Sequence, residues 1–278
     1  MNFDFSFLMP GIRTQNWVEV YNAFKKASKT LNTEIVFVGP HPLPGELEGK
    51  EDIQYIEDWG SPNRAMQIAL LNARGKYCFA GSDDGFFYEG GLDHAFETLR
   101  TLGEESPYNV CVSKYKEGAG NGMDEDWYYY LNNHGMTAPG IQNDWMLGCY
   151  MLMQTQHLIK EFGGFNMMFE GCAMACQELA VRVQLTGKYR FVLSRKQIVW
   201  CTHLPCLEGD HAPMHYAQVM NDEVLYKQHI PTLKKDRVRV GENDWVRTPH
   251  IWGRRFGNIE KNICFVRVND QLRVNYGH

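Results

Sequence analysis

No run in this 278-residue chain approaches the roughly 20 consecutive apolar residues that a membrane-spanning helix needs. The amino terminus, Met1-Asn2-Phe3-Asp4, lacks the basic region of a secretory signal. A cytoplasmic location is therefore expected, with the eight cysteines mostly reduced thiols. Internal repeats and low-complexity segments are also missing. Charged residues make up 22% and hydrophobic residues 44%, a balance that argues against disorder. Nor do the cysteines form a zinc pattern. Cys172-x3-Cys176 and Cys201-x-His203-x2-Cys206 match no specific spacing. They read as buried thiols that pack like small hydrophobes. The length suits one large domain, or one domain with an appendage.

Two adjacent carboxylates are the most informative feature present. They close the stretch Gly75-Lys76-Tyr77-Cys78-Phe79-Ala80-Gly81-Ser82-Asp83-Asp84-Gly85. Tyr77 to Ala80 reads as a short buried strand, so Asp83 and Asp84 stand at its end. Neighbouring acids repel unless a cation or hydrogen-bond donors lie between them. Hard oxygen ligands on a rigid strand end suit Mg²⁺ or Mn²⁺, which commonly bridges to substrate phosphates. The plainer alternative is a solvated turn, for which Ser-Asp-Asp-Gly is good chemistry.

The flanking pattern places the acids. Phe5 to Pro10 is a hydrophobic strand ended by proline, and Val18 to Leu31 is spaced as an amphipathic helix. Glu34 to Pro40 is a second buried strand, Ile53 to Ile56 a third, and Asn63 to Ala73 a second helix. This alternation predicts a largely parallel sheet covered by helices. Ligands of such sheets bind beyond the carboxyl ends of the strands, where Asp83 and Asp84 lie.

The ordered set resembles the GT-A glycosyltransferases, above all the family-2-like group. The matching pieces are the Phe5–Pro10 and Glu34–Gly39 strands, the block Asn63 to Tyr77, Ser82-Asp83-Asp84, Gly163-Gly164-Phe165-Asn166, Glu178 to Gly187, and Val199 to His203. Together they span about residues 3 to 205. The resemblance implies a GT-A-type, Rossmann-like mixed sheet flanked by helices, over residues 1–210. Residues 211–278 would form a small C-terminal appendage. It also implies metal-dependent transfer of a sugar from a nucleotide diphosphate donor, a UDP-sugar favoured, to an acceptor hydroxyl with inversion.

Under that resemblance Asp83, Asp84 and His203 would hold Mn²⁺ or Mg²⁺. Pro10, Arg13, Gly39, Arg64, Ser82 and Asp83 would line the donor, with the two arginines on the pyrophosphate. Three positions depart from the family. Val38-Gly39-Pro40-His41 lacks its base-contacting acid, and Gly81 stands at its first metal-motif acid. Cys176 stands six residues before Arg182, where the catalytic base usually is. Glu178 is then the first candidate for general base and Glu170 the second.

Charge divides the chain unevenly. Residues 231–278 hold 10 Lys+Arg and 5 Asp+Glu, whereas the whole chain has 28 and 33. Trp245, Trp252, Phe256 and Phe265 lie among the tail's cations. That mixture suits an anionic polymer, although an ordinary subdomain with an aromatic core has the same composition. Arg237–Val240 and Ile263–Val268 alternate like strands. The Gly118–Gly140 stretch, rich in glycine, acids and tyrosine, reads as a long functional loop, which the resemblance would put at the acceptor site, or as a surface insertion. A hydroxylated base in DNA and a glycan are both kept as acceptors. Two other classes stay open: a nucleotidyltransferase of sugar phosphates, of which Met9 to Arg13 is a faint phosphate loop, and a catalytically dead binding module.

Overall fold

The computed structural model describes residues 3–58, 60–117, 125–127, 129–131, 145–147, 151–202, 222–240, 265–268 and 271–274. The first four strands are β1 (Phe3–Pro10), β2 (Thr33–Gly39), β3 (Ile53–Glu57) and β4 (Gly75–Ala80). They are mutually parallel in the order β3-β2-β1-β4. Strand order reverses between β1 and β4, so the crevice of a doubly wound sheet lies at their carboxyl ends. β2 is buried along its whole length, as expected of a strand covered on both faces. Ile35 and Phe37 enter one core and Val36 and Val38 the other, following the two-residue period of a strand.

α1 (Thr14–Lys26) covers the first of these faces with Trp17, Val20 and Phe24, and α2 (Pro62–Asn72) covers the other. Ser61 caps α2 by accepting the Arg64 N–H, and Pro62 takes a position where its missing N–H costs nothing. α1 starts and ends earlier than the expected Val18–Leu31. Beyond Lys26 the Ser28 hydroxyl accepts the N–H groups of Thr30 and Leu31 and donates to Asp93, which turns the chain out of the helix.

Next along the chain come β5 (Gly85–Phe87), α3 (Gly91–Arg100), β6 (Asn109–Glu117), β7 (Glu125–Trp127), β8 (Tyr129–Leu131), β9 (Trp145–Leu147) and β10 (Met151–Gln154). α4 (Thr155–Phe162), α5 (Cys172–Leu185) and β11 (Arg190–Cys201) follow. β10 pairs antiparallel with β4 and β6, and β11 runs parallel to β6, so the sheet is mixed. Because β11 follows α5 and runs the same way as β4, α5 must begin at the carboxyl edge of the sheet. Apart from β7 and β8, the Gly118–Gly140 stretch lies outside the described residues.

Three described pieces of the C-terminal extension join this body. α6 (Glu223–His229) packs on α5. β12 (Phe265–Val268) adds antiparallel to β3, and β13 (Gln271–Val274) pairs with β12. β12 bears out the expected strand there, but Arg237–Val240 is not a strand. Its backbone is used otherwise: the Val238 carbonyl accepts from Arg182 and the Val240 N–H donates to Phe162. Among the described residues no helix is long and apolar enough to cross a membrane.

Candidate functional site

The carboxyl ends of β1 and β4 meet through Asp83. Its carboxylate accepts the backbone N–H of Ile12 at 2.7 Å, that of Arg13 at 2.5 Å and the indole N–H of Trp17 at 3.3 Å. It also forms an ion pair with the Arg13 guanidinium, and both side chains are almost fully buried. Asn16 completes the set by donating to the Asp83 carbonyl. The donors that neighbouring acids require are therefore supplied by the β1–α1 turn, and Arg13 is the cation beside them. Asn16 and Trp17 were not legible as site residues; their only signal was a place in the first turn after Gly11-Ile12-Arg13.

Asp84 is differently placed. Its carboxylate accepts the Ser82 hydroxyl and lies 3.9 Å from Arg13 Nη1. Its backbone carbonyl accepts the Thr202 N–H at 2.9 Å, which draws the end of β11 to the acid pair. His203, the next residue, lies outside the described residues. Among the described residues no group of three His, Cys, Asp or Glu side chains could hold a metal. A cation that takes most of its ligands from phosphates and water fits Asp84 nonetheless.

Pro10 and Gly39 end the first two strands. A Cβ on Gly39 would fall 1.9 Å from the Gly11 carbonyl oxygen, and one on Gly11 would fall 2.8 Å from the Trp17 ring. Glycine at 39 lets the end of β2 reach the Gly11 carbonyl, and glycine at 11 leaves room for the Trp17 ring. Arg64 is fully buried and binds Asp58 through Nε at 2.9 Å. Asp58 also accepts the Gly60 N–H. Burial lowers the Arg64 pKa, while Asp58 opposes that effect. The expected pyrophosphate arginine thus anchors the β3–α2 turn, through an acid that the sequence did not single out.

The two carboxylates expected as bases part company. Glu178 lies in the middle of α5 with no exposed surface. It accepts from Arg182 Nε at 2.8 Å, His229 Nε2 at 3.0 Å and Asn166 Nδ2 at 3.2 Å. Burial alone would raise its pKa, but Arg182, His229 and Asn166 outweigh burial and hold it below the usual value. Arg182 also donates to the carbonyls of Phe162, Val238 and Gly164. Glu178 and Arg182 together lock α5 to α4 and to residues 238–240. Glu170 lies one residue before the Gly171 cap of α5. Its carbonyl accepts the Asn63 N–H at the start of α2, and its N–H donates to the buried Asp222. Glu170 therefore stands at the same carboxyl edge as Asp84. Cys176 is buried in α5. Burial pushes the Cys78 and Cys111 thiols up to about 12, the behaviour of inert packed thiols.

No protein-family model matches the chain, and no curated protein does. Solved structures do. Residues 1–349 of S. aureus TarS align over 88% of this chain and 69% of theirs, with TM-score 0.53 and 16% identity. The complex of the same fragment with UDP gives TM-score 0.56 and 17% identity over the same shares. TarS is a GT-A, family-2-like glycosyltransferase. At these identities the likeness establishes the fold, the α/β GT-A architecture expected from the sequence.

Proposed function

We propose that this chain, which has the GT-A fold of glycosyltransferases, moves a sugar from a nucleotide diphosphate donor to an acceptor hydroxyl. The observation that carries the reading is the Asp83–Asp84 pair at the β4 end, held against the β1–α1 turn where strand order reverses. The UDP bound by TarS supports a uridine diphosphate donor. Asp83 builds the turn over which the diphosphate lies. Asp84 faces the donor, and Ser82 orients it. A divalent metal, Mg²⁺ or Mn²⁺, would be held by Asp84 with the donor phosphates and would neutralise the departing diphosphate. Glu170 takes the acceptor proton as general base, and displacement in line inverts the anomeric carbon. Glu178, with its lowered pKa and three donors, suits a structural role better than a basic one.

For the acceptor, the described basic segment supports an anionic polymer, with a hydroxylated base in DNA as the case to test. Lys234, Lys235, Arg237 and Arg239 are exposed within six residues. A second reading, a binding module without catalysis, is favoured by Cys176 at the place of the missing acid.

One experiment separates these readings. A panel of nucleotide sugars is incubated with the protein in Mn²⁺, in Mg²⁺ and in excess EDTA, and UDP binding is measured by calorimetry. Metal-dependent donor hydrolysis supports the transferase. UDP binding without turnover for any sugar leaves the binding module. Neither binding nor turnover rejects both.

A further inference from the structure

A cavity of about 340 Å³ opens on the helical flank, away from the acid pair. α5 begins at the carboxyl edge, and Glu178 lies six residues further in. At about 1.5 Å per residue that is about 9 Å down the helix. The floor is polar and deeply buried: Glu178, Arg182 and Asn166, none more than 5% exposed. His229 from α6 lines one side, and Arg237 and Arg239 line the mouth. The Glu178 carboxylate is already taken by Arg182, His229 and Asn166. Three arginines against one glutamate leave the walls two positive charges in excess, before any charge on His229.

The cations at the mouth are open to a ligand. Arg239 donates Nε to the Lys160 carbonyl, which leaves its two terminal nitrogens to point elsewhere. Among the described residues the Arg237 guanidinium has no hydrogen-bond or ion-pair partner. Forked guanidiniums suit paired oxygens of a phosphate. A phosphate monoester carries about −1.5 to −2 charges at pH 7, which matches the excess on the walls. The remaining lining is apolar, with Leu233 and Val238 among it, and fits the carbon body of a small molecule.

We propose that this cavity binds a phosphate group, free or carried on a small organic body, at a site separate from the donor crevice. The proposal does not rest on the sugar-transfer reading.

The test titrates the full chain with inorganic phosphate and with phenyl phosphate, at constant ionic strength set by chloride. Binding is read by calorimetry and by the ring-proton signals of His229, assigned with a His229→Gln variant. Saturable binding that shifts those signals is expected. In Arg237→Ala/Arg239→Ala, whose exposed positions leave the fold intact, affinity should fall at least about tenfold, the worth of one charge-assisted hydrogen bond. Tighter binding of phenyl phosphate identifies an organic phosphate, and equal affinity a free one. The proposal is overturned by the absence of saturable binding, by signals that chloride alone reproduces, or by binding that the double variant retains in full.

Discussion

Arg13 and Asp83 form a buried ion pair that fastens the entry of α1 to the end of β4, across 70 residues of sequence. Asp83 also receives two backbone N–H groups and an indole N–H, so the turn between β1 and α1 depends on one carboxylate. Asp84, its neighbour, has no such burden.

The two acids should therefore fail differently. Asp83→Asn leaves the Arg13 charge buried without its counter-ion, a change that costs about 3–5 kcal/mol. Asp84→Asn removes a carboxylate that accepts one hydroxyl and lies 3.9 Å from Arg13, and should lower the urea midpoint less than Asp83→Asn does. Donor hydrolysis should vanish in Asp84→Asn and in excess EDTA. An Asp84→Asn protein that unfolds as early as Asp83→Asn, or that keeps wild-type turnover, contradicts this division.

Gly39 is the second mechanical point. An added methyl would overlap the Gly11 carbonyl at 1.9 Å, and a backbone oxygen cannot move aside as a side chain can. Gly39→Ala should separate the ends of β1 and β2 and weaken UDP binding, with a stability loss of about 1–3 kcal/mol. Calorimetry and urea unfolding measure the two effects together. Unchanged affinity for UDP would place the nucleotide elsewhere.

Much of this was legible because the fold is written in local patterns. β1 to β4 and α2 show periods that a single sequence exposes, and the Ser-Asp-Asp stretch directly follows an apolar strand. The Arg13–Asp83 pair was hidden because nothing local marks partners 70 residues apart. Arg13 and Arg64 looked like free cations for phosphate, yet each has a buried acid beside it. The partner of Glu178 has a local sign. Glu and Arg four apart on a helix are the ordinary spacing of an ion pair, and that is the bond they make. Arg237–Val240 alternates like a strand, but its backbone groups answer Arg182 and Phe162 instead of a neighbouring strand.

The Glu178 lock has a pH signature. Its pKa is lower in the folded chain than the ordinary 4.5. Such a group adds stability in full above its unfolded pKa, and the contribution is lost as pH falls through the folded value. Wild type should thus lose stability as pH drops below about 4.5, while Glu178→Gln, already weakened at neutral pH, should show a flatter acid limb. Urea midpoints taken between neutral pH and acid measure this. Parallel curves for the two proteins would remove Glu178 from the acid response.

Glu170 is where the chemistry is expected. It precedes the α5 cap, beside the first turn of α2 and on the edge that carries Asp84. Its backbone is held by Asn63 and Asp222, which fixes its Cα. Loss of a general base costs about 10²–10⁴ in rate. Glu170→Gln should lower transfer by that amount while UDP binding stays near wild type. Glu178→Gln should reverse the pattern, with stability down by about 3–5 kcal/mol and the turnover of the folded fraction largely kept. Single-turnover transfer on matched folded concentrations separates the two. If Glu178→Gln instead loses rate with its fold intact, the base lies inside α5, and the ion pair with Arg182 must open during the reaction.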